Sequence, residues 1–349
     1  GKREGAVALQ ISAIYNLLPF FRGDYGESFR RPAFNLLKSA WQAMQQDSLK
    51  KWETENLSDD QQQAIIEELR RKAESPMGVA LTHVLLSLNQ KNTQLNLRDF
   101  PEMLPNICLA GMNFNLSGVD ERARNWSGLN LSGVDFRGAA LKEVQFEESQ
   151  LNYADLKHAK LREANLQKAD LLEAKLQNAD LLGANLQNAN LYGANLQHAD
   201  LFDAKLQNAT LKFAKLQNAN LRFANLQNAT LSFAKLQNAN LSRAKLQHAD
   251  LTEANLQHTN LSGARLQNAD LRICDLFGWE QLEQVKDGGL TGSHITLDDF
   301  AYKFYPAWKA ETDLEWAALT EGERMYAMQK FHGETEVYIF DERGNLIIP

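Results

Sequence analysis

The chain has 349 residues, 44% of them hydrophobic and 23% charged, with a formal net charge of −7. That length leaves room for more than one domain, and the hydrophobic share is enough for a sizeable core. No apolar run reaches the roughly eighteen residues a membrane-spanning helix needs.

Charge is unevenly placed. Residues 1–107 balance, 154–276 carry a small excess of Lys and Arg, and 277–349 carry about eight more acidic than basic residues. The two cysteines, Cys108 and Cys274, bracket a repetitive central stretch. That separation forbids a bridge within one chain, so a reducing, cytoplasmic setting is expected.

Residues 3–92 read as a small helical domain. Val7, Ile11, Ile14, Leu17 and Leu18 share one helical face and stop before Pro19. A second helix follows Pro32 with Phe34, Leu36, Leu37 and Trp41. Ser58 with Gln61 forms a capping box for a third, which carries Ile65, Ile66 and Leu69. Ser75 and Pro76 start a fourth, with Val79, Leu81, Val84 and Leu85. This bundle is expected to cap the N-terminal end of the repetitive stretch, hiding an open backbone edge.

From Leu131 onward a large apolar residue recurs at every fifth position: Leu131, Phe136, Leu141, Phe146, Leu151, Leu156 and on to Leu271. A small residue stands two positions before nearly every one, as at Ala154, Ala159, Ala164 and Ala169. Neither a helix nor a flat strand keeps a five-residue stripe on one side. A fixed repeat of this kind marks a solenoid. With one five-residue unit per side, the Leu and the preceding Ala point inward and three residues point out. Before Trp126 the register is ambiguous: Leu109, Phe114, Leu116 and Val119 look like degenerate repeats, and Glu121 falls where a central Leu belongs.

These residues resemble the pentapeptide-repeat family. The resemblance implies a mainly β solenoid, a right-handed quadrilateral β-helix, here of about seven to eight coils. The opening stretch, Arg3-Glu4-Gly5 through Phe20-Phe21-Arg22-Gly23, is similar to a segment of larger bacterial members, where hydrophobic membrane helices precede it. That likeness implies a module on the cytoplasmic face of a membrane, tethered by a segment outside this chain. The expected organisation is a helical domain and N-terminal cap over 1–107, the β-helix over 108–278 and a small α+β cap over 279–349. In that last part, helices are expected over 297–310 and 313–331. A hairpin should come after them, from Val337–Phe340 to 345–348, turning at 341–344.

Function should reside on the outward positions. From Leu166 on, every second unit continues with Gln and a polar residue, as at Gln167, Gln177, Gln187 and Gln197. This pattern predicts amide ladders on two faces, made mildly basic by Lys175, Lys205, Lys215, Lys235, Lys245 and Arg265. The other two faces carry apolar side chains that point at water. Leu172, Tyr192, Phe213 and Phe233 form one stripe, and Leu182, Phe202 and Phe223 the other. Such stripes mark contact surfaces, through which the chain meets a protein partner or a second copy of itself. His198, His248 and His258 read as substitutes in the Gln faces, too widely spaced to share a metal. No Ser/His/Asp set, CxxC pair or Gly-rich phosphate loop stands out. No catalytic residue, cofactor or metal is therefore expected, and no nucleic-acid partner.

The reading is a non-enzymatic scaffold. The alternative, from the same family, is a DNA mimic that occupies a topoisomerase. That mechanism needs a strongly negative rod, and this one is near neutral.

Overall fold

A computed structural model describes residues 2–22, 24–53, 57–87, 97–117, 121–272 and 274, together with three short strands further on. The chain divides into two compact units, Gly1–Asn185 and Leu186–Pro349.

The first unit opens with five helices: α1 (Lys2–Tyr15), α2 (Leu18–Arg22), α3 (Arg30–Trp52), α4 (Asp59–Ala73) and α5 (Pro76–Ser87). Along α1, Val7 is exposed rather than buried, Ile11 is half-buried and Ile14 is buried. Pro32 sits in the first turn of α3, where its missing N–H leaves no gap in the hydrogen bonding. At α4 the capping box forms: the Gln61 N–H donates to Ser58 Oγ at 3.3 Å, and the Ser58 N–H donates to Gln61 Oε1 at 2.8 Å. Ser75 Oγ accepts from the Gly78 N–H at 3.2 Å, starting α5. Glu68 of α4 clamps α3 by accepting from Lys51 Nζ at 2.7 Å and Ser48 Oγ at 2.8 Å. Those two hydrogen bonds hold its carboxyl down at about 2.

Both units then build coils. Parallel bridges join residues twenty apart, from Asn125↔Gln145 to Asn165↔Asn185 in the first unit and from Asn190↔Thr210 to Asp250↔Asp270 in the second. Each coil therefore takes four five-residue sides. The pairing is confined to the middle of each side, so the coils register as bridges and not as extended strands. The central Leu N–H donates to the next coil, as from Leu151 to Asp170 O at 2.7 Å. The residue before Leu donates to the previous coil, as from Asn165 to Val144 O at 3.0 Å. A turn closes each corner, as from the Ala169 N–H to Leu166 O at 3.0 Å. The Leu and Ala spine is fully buried. Where a polar group replaces Ala, it donates to a backbone carbonyl: Ser149 Oγ to Phe146 O, Thr259 Oγ1 to Leu236 O and Cys274 Sγ to Leu251 O.

The first coil explains the ambiguous register before Trp126. Cys108 pairs with Asp135 and Asn113 with Ala140, 27 residues apart instead of 20. Leu109 and Phe114 keep the five-residue step inside. The extra residues lie beyond Phe114, where a 3-10 turn spans Glu121–Arg124. Aromatic rings fill this wider start of the core: Phe114 lies 5.1 Å from Trp126 and 5.7 Å from Phe136, and Phe136 lies 5.8 Å from Phe146. Cys108 is free, and burial, aided by Asp135, pushes its thiol up to about 12.

The helices also take the flank of these early coils. Arg70 of α4 donates through Nε to Gly138 O and through Nη2 to His158 O, both at 2.9 Å. Gln45 of α3 donates to Ala110 O at 3.3 Å. Ile65, Ile66 and Leu69 pack with Ala110, beside Trp52 and Cys108. Arg137 stands over the Trp52 ring at 5.3 Å, and His158 meets its edge.

Farther on in the second unit, β2 (Val337–Phe340) pairs antiparallel with β3 (Leu346–Ile347), as the hairpin expectation required, and with β1 (His294–Thr296) on its other edge. The helices expected over 297–310 and 313–331 lie outside the described residues.

Glycine placement tests the flank contact. Most corners put a non-glycine residue at φ near +60°, so φ alone does not demand glycine. A Cβ on Gly111 would meet the Leu69 backbone at 2.8 Å, whereas one on Gly128 would meet nothing within 4 Å. Gly111→Asn should therefore lower unfolding stability by about 2 kcal/mol and Gly128→Asn by less than about 0.5 kcal/mol, read by thermal denaturation.

His158 adds a pH signature. Burial, then Arg70 and Lys157, lower its pKa below 6.5, with Asp59 pulling the other way. The unfolded chain thus takes up the proton first, and stability present above pH 6.5 is lost as pH falls below it. His158→Asn, which suits the φ of 57°, should flatten the fall of melting temperature between about pH 6.5 and pH 5 relative to the parent. An unchanged slope would remove His158 from the acid response.

Candidate interaction surface

Each coil corner has the same backbone. The residue after Leu opens the turn and the next one takes positive φ, as the third residue of a type II turn does. Asn or Asp before Leu supplies the missing partner: its Oδ1 accepts from the N–H that opens the turn. Asn190 does so for Tyr192 at 3.2 Å, Asp200 for Phe202 at 3.1 Å and Asn220 for Arg222 at 3.3 Å. This explains why Asn and Asp dominate that position. Asn220 also donates to Asp200 Oδ1 one coil away at 2.8 Å.

At five of the glutamines the expected ladder is not carried by the acceptor. The Oε1 atoms of Gln177, Gln207, Gln217, Gln237 and Gln247 are buried without a hydrogen-bond partner. On these faces the positive-φ residue is one that tolerates the left-handed region, Asn188, Asn208, Asn218, Asn228 and Asn238, or His198, His248 and His258.

Several of the other corners break that rule, although Gly183, Gly193, Gly263 and Asp203 keep it. Phe213, Phe223 and Phe233 sit at φ of 60°, 61° and 60°, and Arg243 at 59° and Glu253 at 57° take the same positions in later coils. A bulky side chain there is strained by about 1–2 kcal/mol. Nothing in the fold requires it, because the same backbone elsewhere carries Asn. Nor do these rings hide: Tyr192 is 38% exposed, Phe213 42% and Phe233 36%. Tyr192 meets Phe213 edge-on at 5.4 Å, and Phe213 stacks on Phe233 at 4.9 Å and 21°. Lys212 Nζ stands 5.4 Å from both phenyl rings.

Phe202 and Phe223 form the second group, half-buried and 5.4 Å apart. Arg222 stands over both, and Arg243 over Phe223. Leu172 and Leu182 belong to the first unit and are half-buried, their N–H groups donating to Asp170 and Asp180. The repeat alone reveals the apolar stripes. It gives no such signal for the paired cations Lys212, Arg222 and Arg243, although each falls in a corner beside an aromatic residue. Among the described residues no His, Cys, Asp and Glu cluster could hold a metal ion, and no helix is long and apolar enough to cross a membrane.

If the corner aromatics do not serve the fold, removing one should leave stability intact. Phe213→Asn should change unfolding free energy by less than about 1 kcal/mol, since relieved strain offsets lost stacking. Leu211→Ala, on the spine two residues away, should cost about 3 kcal/mol. Chemical denaturation followed by circular dichroism measures both.

The family profile described as pentapeptide repeats matches eight copies over residues 130–167, 169–208, 204–243 and 239–276. No curated protein matches the chain. Among solved structures, HetL, a pentapeptide repeat protein involved in heterocyst differentiation regulation from the cyanobacterium Nostoc sp. strain PCC 7120, is 32% identical over 52% of this chain and 83% of its own, with a TM-score of 0.22. A second pentapeptide repeat protein from Nostoc is 40% identical over 26% of this chain and 80% of its own, with a TM-score of 0.18. Full-length QnrB1, a plasmid-mediated fluoroquinolone resistance protein, is 22% identical over 46% of this chain and 83% of its own, with a TM-score of 0.32. With its repeats matched along this length and HetL's identity sustained over most of that protein, the chain belongs to the pentapeptide-repeat family, whose fold is a right-handed β-helix solenoid.

Proposed function

We propose that this chain is a non-enzymatic protein-interaction module that presents its aromatic corners, Tyr192–Phe213–Phe233 above all, to a protein partner. The observation that carries the reading is the exposed phenyl stack held at strained positive φ where the fold itself is content with Asn. Strain of this kind is retained where function uses it, and exposed aromatic rings are what protein interfaces favour. The helical segment and the acidic C-terminal part act as caps at the two ends of a solenoid of about seven to eight coils, shielding open edges. The free thiol of Cys108 suits a reducing compartment such as the cytoplasm.

DNA mimicry of a topoisomerase substrate fits less well. Residues 186–272 carry nine Lys and Arg against five Asp and Glu, opposite in sign to a duplex.

The test is quantitative affinity capture with the full chain, comparing parent and the Tyr192→Asn/Phe213→Asn/Phe233→Asn variant by mass spectrometry. At least one captured protein should fall about tenfold with the variant, with circular dichroism unchanged. Identical captured sets would defeat the assignment of these corners.

A further inference from the structure

Resting on that assignment, we infer that the Phe213–Phe233 corner docks an acidic segment of a partner polypeptide, with carboxylates flanking an apolar side chain. Three observations converge on this chemistry.

First, the charge around the corner is one-sided. Residues 205–249 contain seven Lys and Arg and no Asp or Glu. Lys212 lies over the rings. Lys215 and Lys235 come two residues after Phe213 and Phe233 with a buried Ala between, so both turn outward, and both are exposed. The patch is bounded one coil on, where Glu253 takes the aromatic position. The Phe202–Phe223 corner differs, since Asp200 and Asp203 stand within it.

Second, these lysines weaken the solenoid. Lys215 and Lys235 are direct bridge partners, which sets like charges side by side. Each also displaces the Asn or Asp that elsewhere accepts the turn N–H. The Gln227 and Gln257 N–H groups have such a partner in Asn225 and Asn255, and a lysine side chain has no acceptor to offer in its place. Two substitutions that hurt the fold recur in successive coils beside the two strained phenylalanines.

Third, the rings offer their edges. Phe213 lies between Tyr192 and Phe233, and Lys212 stands over the phenyl pair. The sides of the phenyl pair that face each other are taken, and an aromatic edge is electropositive. A nucleic acid base has no open ring face between Phe213 and Phe233 on which to stack, as single-strand binders require. A second copy of this chain is equally ill matched. A two-fold contact through this corner would bring lysines of one copy against lysines of the other, a juxtaposition that costs several kcal/mol. A carboxylate between Lys215 and Lys235, beside an apolar group on the ring edges, satisfies every exposed element.

The experiment uses the full chain and a short fluorescein-labelled peptide with Asp and Glu on both sides of a Leu-Phe pair. Binding is read by anisotropy at several salt concentrations. The expected result is saturable binding that weakens with salt. It should fall about tenfold in Lys215→Ala/Lys235→Ala and about thirtyfold in Phe213→Asn/Phe233→Asn. Lys205→Ala/Lys245→Ala, at the opposite corner, should bind like the parent. Three results would overturn the inference: no saturable binding, equal loss at both corners, or tighter binding of an oligothymidylate of the same charge. Sedimentation equilibrium separates this from the broader assignment. An aromatic-dependent dimer with no peptide binding would leave the corner an interface and remove the acidic partner alone.

Discussion

Hydrogen bonding between residues twenty apart governs this molecule. Each side of a coil gives two N–H groups to the next coil, from the Leu and from the positive-φ residue, and one to the previous coil, and the corner closes on its own turn bond. The backbone is thereby satisfied without help from the outward side chains, apart from the Asn or Asp that accepts at the turn. The Leu and Ala spine has the complementary duty of filling a narrow interior completely. What remains on the wall is free to vary within one limit, that the third turn residue must accept positive φ.

That limit makes the wall readable. On the glutamine faces, Lys168 apart, the third residue is Asn or His, which the left-handed region tolerates. On the aromatic corners it is Gly or Asp in some coils, but Phe213, Phe223, Phe233, Arg243 and Glu253 also stand there, which the region penalises. The same backbone thus serves as its own control, and the difference between corners reports something other than folding. The early coils show the opposite response. There Gly111 and Gly138 are needed because Leu69 and Ile66 of α4 come within about 3 Å of any Cβ, so one element of the helical segment is seated on the flank by the absence of side chains.

The spine was legible because it repeats: one inward Leu per five residues leaves no other regular geometry. The helix starts at Ser58 and Ser75 were legible because capping is a local event, complete within four residues. Four features were hidden from a reading of the sequence. The seven additional residues of the first coil obey no period, so neither Glu121 nor Val119 could be placed by counting. The seating of α4 on Gly138 and His158 joins parts of the chain 68 and 88 residues apart, which no local pattern encodes. The glutamine columns looked like ladders because their spacing was right. In the folded coil the amide oxygens of Gln177, Gln207, Gln217, Gln237 and Gln247 point where no donor stands, and the Asn and Asp position took over stacked polar contacts. The aromatic stripes were visible as apolar residues in outward phase, while their strain was not, because φ is a property of the closed corner.

A solenoid is well suited to carry such strain. Its stability is close to a sum of terms for each repeat and its neighbours, so a penalty at one corner is offset by the spine of the same coil. Burying one central Leu and its Ala contributes more than one left-handed Phe costs. The strained residues therefore need no compensating distortion elsewhere, and successive coils can each add a ring to the same column without changing the backbone that holds it. Charge obeys the same logic. Lys215 and Lys235 repel across a single bridge, yet each belongs to a coil whose interior is fully packed. A globular core that transmits strain would have selected such pairs away, whereas here Lys245 and Arg265 form one in the other column and Lys215 and Lys235 stand in register beside Phe213 and Phe233, as a surface shaped for a complementary anion would show.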